Sequence, residues 1–278
     1  MKVTEDLAEL RSLRAAMNGV FGLVPTMGAL HAGHASLVSR ARAECRHVGA
    51  SIFVNPSQFG PGEDFNNYPR TLEQDLALLE SLGADLVWIP SPEMIYPPNF
   101  QSWITVEDVA CPLEGAARPG HFRGVATIVA KLLNCFQPDR AYFGQKDAQQ
   151  LVVLRRMVQD LNFPVQVVAC PTVREPDGLA ISSRNVYLGP AEREAAPVLY
   201  RALSAAKEKY DTGERNAEVL RDTMRTIIRA EPLASEEYVS AADPETLNEL
   251  QQIDGKVLLS LAVRIGRARL IDNILIEG

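Results

Sequence analysis

The chain has few cysteines, and their spacing excludes several kinds of site. Among its 278 residues no two of Cys45, Cys111, Cys135 and Cys170 form a C-x-x-C pair. The sequence therefore encodes neither a structural zinc site nor a thioredoxin-like redox motif. Cysteines this widely spaced in a long chain are typical of reduced cytosolic thiols rather than of a disulfide framework. We expect them to be buried and inert.

Long hydrophobic runs and an excess of positive charge are also missing. No apolar run approaches the roughly 20 residues that a transmembrane helix needs, and residues 1–18 are too charged for a signal peptide. The formal net charge is -7 and the pI about 5.3, which gives no general attraction to nucleic acids or anionic membranes. With 46% hydrophobic and 23% charged residues, the composition predicts a cytoplasmic globular protein of one large or two unequal domains.

Short apolar runs alternate with amphipathic segments through the first two-thirds of the chain. Strands separated by helix-length segments predict β-α-β units, and so a Rossmann-like, doubly wound parallel sheet over residues 1–175. The expected strands are 20–24, 48–54, 85–89, 141–143 and 165–168. The expected helices are 34–45, 71–82, 122–136 and 148–161. We expect Thr71 to be the N-cap of the helix that starts there.

The pattern changes after the turn-rich segment 174–178. Two predicted helices are followed by three strand-like runs, in a region that does not alternate strand and helix. The helices are 190–210 and 216–230, and the strands 235–241, 256–264 and 268–276. This region predicts a smaller C-terminal α+β domain over residues 176–278, which we expect to act as a lid.

The first predicted strand leads into a turn that Gly28 and Gly33 bracket before a helix. Glycine lets the backbone approach a bound group, and a helix N-terminus offers N–H groups and a positive dipole end, so this arrangement favours phosphate. His31 and His34 add donors and, as cations, would stabilise charge on a leaving pyrophosphate. The alternative is a solvated or capping pair. Two of the four histidines lie in this one turn, which favours a functional site.

Two further segments carry polar side chains just after predicted strands. Asn55 and Gln58 follow the second strand, at the edge where ligands of parallel sheets bind. A glutamine amide both donates and accepts, which suits a hydroxy acid, although an ordinary polar turn explains these residues equally well. Lys146 and Asp147 follow the strand 141–143. Lysine suits a phosphate and aspartate a ribose hydroxyl, and the alternative is a helix N-cap with a solvated lysine.

Other positions leave more than one interpretation open. Residues 182–184 (Ser-Ser-Arg) form either a phosphate clamp at the domain boundary or a polar turn. Gln150 lies one helical turn after Lys146, on the same side. His121 and Arg123 open a long apolar helix, where helix-start packing and ligand contact compete. The acidic residues at 63–64, 73 and 75 are expected to be solvated or capping, with water-mediated support of Mg²⁺ on ATP as the weaker alternative.

Residues 31–34 resemble the H-x-G-H signature of the nucleotidylyltransferase superfamily. Longer strings resemble the pantothenate synthetase family, in order through almost the whole chain and most densely from Val24 to Leu188. These strings occupy residues 25–31, 53–59, 68–72, 118–122, 143–151, 171–175 and 182–185.

The resemblance implies a carbon–nitrogen ligase. In this family the carboxylate of pantoate attacks the α-phosphorus of ATP, which gives pantoyl-adenylate and pyrophosphate. The amine of β-alanine then attacks the mixed anhydride, which gives pantothenate and AMP. The resemblance further implies ATP with Mg²⁺, the small-molecule partners pantoate and β-alanine, and a homodimer that involves neither nucleic acid nor a membrane.

The resemblance also implies roles for individual residues of this chain. His34, His31 and Lys146 would be catalytic, with His34 the formal proton donor. The substrate-binding set would be Gln58, Gln150 and Asn55. Gln58 and Gln150 would hold the pantoate hydroxyl and carboxyl groups, and Gln58 would also meet β-alanine. The ATP-binding set would be Met27, Gly28, Ala29, Leu30, His31, Ala32, Gly33, His34, Gly144, Gln145, Lys146, Asp147, Val173, Ile181, Ser182, Ser183 and Arg184.

One departure from the family pattern concerns Ile181, since methionine is expected there. The contact expected at that position is made by the backbone, so the change should have little effect. The metal ligands are left unassigned.

Three alternatives stay open on sequence alone. A nucleotidylyltransferase that leaves the nucleotide on its product shares the H-x-G-H turn, but it needs a site for a second anionic phosphate where this chain has neutral Asn55 and Gln58. A tRNA-charging enzyme is disfavoured by the acidic charge and the lack of a basic C-terminal extension. A non-catalytic nucleotide-binding protein is disfavoured because every phosphate-handling position carries a competent side chain.

Overall fold

The computed structural model describes all 278 residues, Met1–Gly278. They form two compact units, Met1–Gly144 with Val153–Pro171, and Gln145–Val152 with Thr172–Gly278. The boundary expected after residue 175 lies close to the division at Pro171. The short segment Gln145–Val152, however, groups with the second unit rather than with the first.

The first unit contains a six-stranded parallel sheet, which confirms the predicted fold class. Its strands are β1 (Lys2–Thr4), β2 (Phe21–Thr26), β3 (His47–Ile52), β4 (Leu86–Trp88), β5 (Arg140–Gly144) and β6 (Gln166–Cys170). Their order across the sheet is β1-β4-β3-β2-β5-β6. The chain therefore builds outward in both directions from β2 and β5, whose carboxyl ends mark the switch point where ligands of such sheets bind.

Helices cover this sheet close to the predicted limits. They are α1 (Leu7–Ala15), α2 (Ala32–Glu44), α3 (Leu72–Ser81), α4 (Pro92–Ile95), α5 (Glu114–Ala117), α6 (His121–Phe136) and α7 (Ala148–Asp160), of which α7 continues from the second unit into the first. Strand β1 and helices α1, α4 and α5 are additions that the sequence analysis did not predict. No helix of the chain is both long enough and apolar enough to cross a membrane.

The strands of the sheet are buried because helices pack on both of its faces. Phe21, Leu23 and Val24 of β2 are all 0% exposed, as expected for parallel strands that are hydrophobic without alternation. One core cluster joins Val24 to Val38 of α2 and Leu79 of α3. Burying each such side chain contributes about 1.5–3 kcal/mol.

Thr71 is the N-cap residue of α3, as expected, although its side chain makes no capping bond. Its Oγ1 donates instead to Asp75 Oδ1 at 3.1 Å. The expectation that all four cysteines are buried is wrong. The four cysteines are free, yet Cys111 is exposed rather than buried, because it follows a one-turn helix on the surface, where its Sγ donates to the Glu107 carbonyl at 3.1 Å.

The second unit contains a three-stranded antiparallel sheet with helices packed on it. Its strands are β7 (Ala234–Ala242), β8 (Val257–Ile265) and β9 (Ala268–Ile276), and its helices α8 (Pro190–Ala195), α9 (Val198–Asp211) and α10 (Ala217–Arg229). Strand β8 is central. Its core includes Leu203, Met224 and Leu259. The single helix predicted over 190–210 is wrong, because Pro197 lacks an N–H group and divides it into α8 and α9.

Gly124 of α6 allows this helix to lie close to the chain that follows β3. A Cβ atom at Gly124 would be 2.3 Å from the Ser57 carbonyl oxygen and 2.7 Å from the Gln58 nitrogen. Both residues belong to a one-turn helix, Pro56–Gln58. The Gly124 carbonyl also accepts from Asn55 Nδ2 at 3.2 Å. The turn that carries the predicted substrate residues therefore lies directly against α6.

We expect Gly124→Ala to lower the free energy of unfolding by about 1–3 kcal/mol, the usual cost of overpacking. The added methyl group would overlap backbone atoms, which no side-chain rotation can relieve. Gly60→Ala is the matched control, because a Cβ there meets its nearest atom at 3.6 Å, an ordinary contact. Chemical denaturation of the three proteins measures the difference. Equal stability of Gly124→Ala and the wild type would contradict this packing.

Candidate active site

The turn after β2 is held by a buried carboxylate, that of Asp75 in α3. Asp75 is 2% exposed. Its Oδ2 accepts from the Ala29 N–H at 3.0 Å and its Oδ1 from the Leu30 N–H at 2.8 Å. Bonds in which the acceptor is charged are about twice as strong as neutral ones. The expectation that Asp75 is solvated or capping is therefore wrong, because its carboxylate fixes the glycine-bracketed turn.

The backbone of this turn needs such support. Gly28 and Ala29 both have left-handed conformations, with φ of +79° and +51°, and this region is unfavourable for alanine. The Gly28 N–H donates to Thr26 Oγ1 at 3.2 Å, and that hydroxyl donates to the Ser51 carbonyl at 2.7 Å. The N–H groups of Ala29 and Leu30 thus bond to the Asp75 carboxylate. They are not presented to a phosphate, although the sequence analysis expected this of the backbone.

His31 and His34 form a capping box at the start of α2. His31 Nδ1 accepts from the Gly33 N–H at 3.1 Å, and His34 Nδ1 accepts from the His31 N–H at 3.4 Å. An Nδ1 atom that accepts carries no proton, so each neutral ring carries its proton on Nε2. The ring centroids are 4.1 Å apart. Capping, left open by the sequence, therefore leaves Nε2 as the hydrogen-bond donor of each neutral ring.

Gly33 allows this arrangement of rings. A Cβ atom at Gly33 would lie 2.9 Å from His31 Cε1 and 3.0 Å from its Nδ1. Any larger residue at this position would push the His31 ring away from the backbone N–H that orients it. The glycine of the H-x-G-H segment thus has a defined structural role.

Gln58 is held through both its side chain and its backbone. Its Nε2 donates to Met27 Sδ at 2.9 Å, and its Oε1 accepts from Asn55 Nδ2 at 3.0 Å. Its carbonyl oxygen accepts from His121 Nδ1 at 2.8 Å and Arg118 Nη2 at 3.3 Å. The structure therefore brings two predicted segments together, since Met27 follows β2 and Gln58 follows β3.

Asn55 is a component of this arrangement with little surface of its own. It is 1% exposed. Its Oδ1 accepts from Tyr96 OH at 2.8 Å and from Ser57 Oγ at 2.9 Å, and its Nδ2 donates to Gln58 and to Gly124. These contacts use both of its donor hydrogens. We therefore assign Asn55 to orienting Gln58 rather than to direct contact with a substrate.

Arg118, His121 and Glu63 form a polar cluster around the Gln58 carbonyl. Arg118 donates from Nε and Nη2 to the two carboxylate oxygens of Glu63, at 2.7 and 2.6 Å, and from Nη1 to His121 Nε2 at 3.1 Å. Burial, together with the charge of Arg118, lowers the pKa of His121 to about 4. His121 is therefore neutral at pH 7 and donates from Nδ1 to the carbonyl, which answers the question that the sequence left open.

Arg123, the other residue left open, packs against an aromatic ring. Its guanidinium carbon lies 4.4 Å from the centroid of Trp103. This cation–π contact, worth about 0.5–1 kcal/mol at an exposed site, is a structural role at the start of α6.

In the second unit, the predicted phosphate lysine lies on a one-turn helix, Gln145–Asp147, between β5 and α7. Lys146 Nζ is 3.6 Å from Asp147 Oδ1, and the two side chains are 19% and 47% exposed. Gln150 lies in the first turn of α7 and is partly buried. Lys146, Asp147 and Gln150 therefore lie on the segment that leads from β5 into the first turn of α7.

The remaining predicted ATP-binding residues of this unit lie on a closed loop and the turn after it. The Ile181 N–H donates to the Val173 carbonyl at 3.0 Å, so these two residues lie side by side. The Ser182 hydroxyl oxygen accepts from the Arg184 N–H at 3.3 Å and caps the one-turn helix Ser183–Tyr187. The structure therefore joins Val173 to Ile181 and orders the Ser-Ser-Arg segment as a cap.

The acidic residues considered for magnesium do not form a binding site of the protein's own. No three histidine, cysteine, aspartate or glutamate side chains of the chain are grouped as metal ligands. Asp75 is bonded to backbone N–H groups, and Glu63 is paired with Arg118.

Sequence reasoning missed three polar residues that hold these turns: Asp75, Asp272 and Asn273. A buried aspartate that bonds to distant backbone N–H groups has the same local sequence pattern as a solvated aspartate in a first helical turn. Asp272 and Asn273 did leave a signal, because they are consecutive polar residues between apolar residues on both sides in the strand run 268–276.

Known proteins resemble this chain over its whole length. Residues 2–275 match the family described as pantoate-beta-alanine ligase. The pantothenate synthetase of Roseiflexus sp. (strain RS-1) is 61% identical over 278 residues, which cover 100% of both chains. That of Chloroflexus aurantiacus (strain ATCC 29366 / DSM 635 / J-10-fl) is 61% identical over 280 residues, which cover 100% of this chain and 99% of the relative.

Solved structures agree with these relatives. The crystal structure of pantothenate synthetase from Thermus thermophilus has a TM-score of 0.94 and 51% identity, and the match covers 99% of each chain. The pantoate-beta-alanine ligase from Francisella tularensis, crystallised with beta-gamma ATP and beta-alanine, has a TM-score of 0.81 and 35% identity. That match covers 99% of this chain and 97% of the other.

We expect His121 to make the protein less stable as the pH falls from 6.5 to about 4. In this pH window the His121 ring takes up a proton in the unfolded protein but not in the folded protein. Lowering the pH therefore stabilises the unfolded state. The contribution is at most about 1.4 kcal/mol per pH unit.

Denaturation of the wild type and His121→Gln at about pH 7, 5.5 and 4.5 measures this slope across the window in which the two states differ in proton uptake. The glutamine amide does not titrate, so the variant should show a shallower slope. His47→Gln controls for the loss of a histidine outside this cluster. Equal slopes for the wild type and His121→Gln would contradict a lowered pKa.

Proposed function

The chain belongs to the pantoate-beta-alanine ligase family and is a ligase of pantoate and β-alanine, and from this premise we propose that it activates pantoate with ATP through a pantoyl-adenylate. The observation that carries the proposal is the pair of Nε2–H imidazoles at the start of α2, which follows the switch-point strand of the sheet. The Francisella tularensis relative supports it, because its structure was determined with beta-gamma ATP and beta-alanine.

Two displacements make up the proposed reaction. A carboxylate oxygen of pantoate attacks the α-phosphorus of ATP, and the bond from that phosphorus to the bridging oxygen breaks to release pyrophosphate. The amine of β-alanine then attacks the acyl carbon, the bond to the adenylate oxygen breaks, and AMP leaves while the nitrogen loses a proton. Adenylation is needed because a free carboxylate is a poor acyl donor. The enzyme must stabilise phosphate charge and keep water from the anhydride.

His31 and His34 stabilise the phosphate charge that develops in the first step. Neutral imidazoles with their proton on Nε2 are hydrogen-bond donors to phosphate oxygens. Their fixed position at the N-terminal end of α2 adds the favourable end of the helix dipole. We assign His34 to this charge stabilisation rather than to net proton transfer, because transfer of adenylate to a carboxylate requires no proton at the attacking oxygen.

The second unit contributes its own ATP-binding residues to the proposal. Lys146 supplies a positive charge to a phosphate, and Asp147 accepts from a ribose hydroxyl. The Val173 backbone meets adenine, and the segment 181–184 closes on phosphate through its hydroxyls and guanidinium. Arg184 carries the charge in this segment, since an arginine fork suits phosphate oxygens.

Gln58 and Gln150 hold pantoate in this proposal. An amide that both donates and accepts can bind a hydroxyl and a carboxylate at once. The Gln58 amide is oriented by Met27 and Asn55 before a substrate binds. Substrate binding therefore does not include the entropic cost of ordering this side chain. His121 and Arg118 fix its backbone and are positioning residues.

We further propose that Mg²⁺ binds as part of the MgATP substrate. From the family resemblance we also propose that the protein is a homodimer in the cytoplasm. Light scattering should give twice the 30.5 kDa mass of one chain, and a single-chain mass would remove the dimer from the proposal.

The test of the reaction follows AMP and pyrophosphate from ATP, with pantoate alone and with pantoate plus β-alanine. We expect AMP release to need both acids, and pyrophosphate to form from pantoate alone in a single turnover. No pyrophosphate with pantoate would contradict the proposed adenylation.

The site residues are tested in the same assay. His34→Ala and Lys146→Ala should each lower the rate of pyrophosphate formation by about 100- to 1,000-fold, as the loss of a charge-stabilising donor does elsewhere, while the fold is kept. Lys207→Ala, which loses a helix-surface ion pair with Asp211, is the matched control. Wild-type rates in both site variants would reject the assignment.

A further inference from the structure

Strand β9 contains two adjacent buried polar residues that the proposed mechanism does not use. Asp272 is 3% exposed and Asn273 is 4% exposed. Because a buried polar group is costly unless it is hydrogen-bonded, the partners of these two residues indicate what they do. All of these partners belong to the second unit.

Asn273 clamps the turn that carries Lys146. Its Nδ2 donates to the Gln145 carbonyl at 3.0 Å and to the Lys146 carbonyl at 2.9 Å, and its Oδ1 accepts from Gln145 Nε2 at 3.4 Å. Both donor hydrogens of the amide are therefore used on consecutive backbone carbonyls. A side chain of other shape cannot reach both, so the amide fixes the path of the backbone at Lys146.

Asp272 faces a different segment and holds Arg174. Arg174 Nη1 is 2.5 Å from Asp272 Oδ2, and Nη2 is 2.9 Å from Oδ1, which is a two-pronged pair. Nη2 also donates to the Asn273 carbonyl at 3.3 Å. Burial raises the pKa of Asp272, and the Arg174 guanidinium opposes that rise.

Arg174 in turn holds the loop that carries Val173 and Ile181. Its Nη1 donates to the Gly178 carbonyl at 3.0 Å, across the tip of this loop. Its guanidinium carbon lies 4.3 Å from the ring centroid of Tyr200. Arg174 is thus held by the Asp272 carboxylate, the Gly178 carbonyl and the Tyr200 ring. These contacts also fix the loop backbone on either side of Arg174.

We propose that Asp272 and Asn273 are positioning residues for nucleotide binding, which hold two ATP-contacting segments in fixed positions against β9. Asn273 acts on the turn at Lys146, and Asp272 acts through Arg174 on the segment from Val173 to Ile181. Neither residue touches the nucleotide. The inference rests on the proposed function, since it takes ATP to be the ligand of both segments.

A purely structural role makes a different kinetic prediction. If the two residues only stabilise the sheet, their loss lowers the amount of folded enzyme and leaves the KM of every substrate unchanged. If they position the ATP segments, their loss raises the KM for ATP and spares the KM for pantoate. The split between the two KM values therefore separates the two roles.

The experiment compares the wild type with Asn273→Ala, Asn273→Ser and Ser260→Ala, by pyrophosphate formation at varied ATP and varied pantoate. Ser260 is the matched control: it faces Asn273 across β8 and β9, it is 6% exposed, and its hydroxyl has no hydrogen-bond partner. Thermal unfolding is measured on each protein. Binding of a non-hydrolysable ATP analogue is measured by calorimetry.

We expect Asn273→Ala to raise the KM for ATP and the dissociation constant of the analogue by about 10- to 100-fold, the effect of losing two backbone hydrogen bonds. The KM for pantoate should stay within about twofold of the wild type, because the backbone that Asn273 holds carries Lys146, which is assigned to ATP. Asn273→Ser, which keeps one donor, should lie between. Ser260→Ala should match the wild type in both KM values.

Unchanged KM and analogue affinity in Asn273→Ala would overturn the inference, as would equal increases for ATP and pantoate. If Asn273→Ala does not fold, Asn273→Ser decides by the same two measurements. Failure of the wild type to form pyrophosphate from pantoate would instead overturn the proposed function. The analogue titration then still tests whether Asn273 positions a nucleotide site.

Discussion

The candidate site depends first on one buried carboxylate. Asp75 accepts hydrogen bonds from two successive backbone N–H groups, those of Ala29 and Leu30. Without them, the turn would have two partly buried donors without partners, and each fully buried donor of this kind costs about 1–3 kcal/mol. It would also hold Ala29 in an unfavourable left-handed conformation. The conformation of this turn determines where α2 begins. The start of α2 then determines the capping bonds that orient both histidines.

The same construction recurs at the other two turns of the proposed site. The Gln58 carbonyl is bonded by the neutral ring of His121 and by Arg118. The carbonyls at Gln145 and Lys146 are bonded by the Asn273 amide. In each case the chemistry is carried on a turn, and a buried or half-buried polar side chain distant in sequence holds the backbone of that turn. Such fixed geometry is what electrostatic stabilisation of a transition state requires.

The sequence predicted what depends on local pattern. Apolar runs and helical spacing located every strand except β1, and the helices α2, α3, α6, α7 and α10, since burial of apolar surface decides where these elements form. The glycine-bracketed histidines were recognised because a strand, a turn and a helix N-terminus are all written locally. The break in the helix predicted over 190–210 also had a local signal, Pro197, which the periodicity of the flanking residues outweighed.

What could not be predicted depends on contacts between distant parts of the chain. Nothing near Asp75 shows that its carboxylate turns toward residues 29 and 30 rather than toward solvent. His121 was an ambiguous helix-start residue until its two nitrogens were seen between a carbonyl and a guanidinium. The limits of the two units were also non-local, because residues 145–152 precede most of the unit with which they pack.

The central claim is that Asp75 holds the turn in which His31 and His34 carry their protons on Nε2. Nitrogen-15 NMR of histidine-labelled protein above about pH 8, where ordinary histidines are neutral, measures this directly. The chain has four histidines, so His31→Gln and His34→Gln variants assign the signals. The account predicts unprotonated Nδ1 and protonated Nε2 in both rings of the wild type, and tautomer averaging in at least one ring of Asp75→Asn. A protonated Nδ1 in the wild type, or an unchanged spectrum in Asp75→Asn, would contradict it.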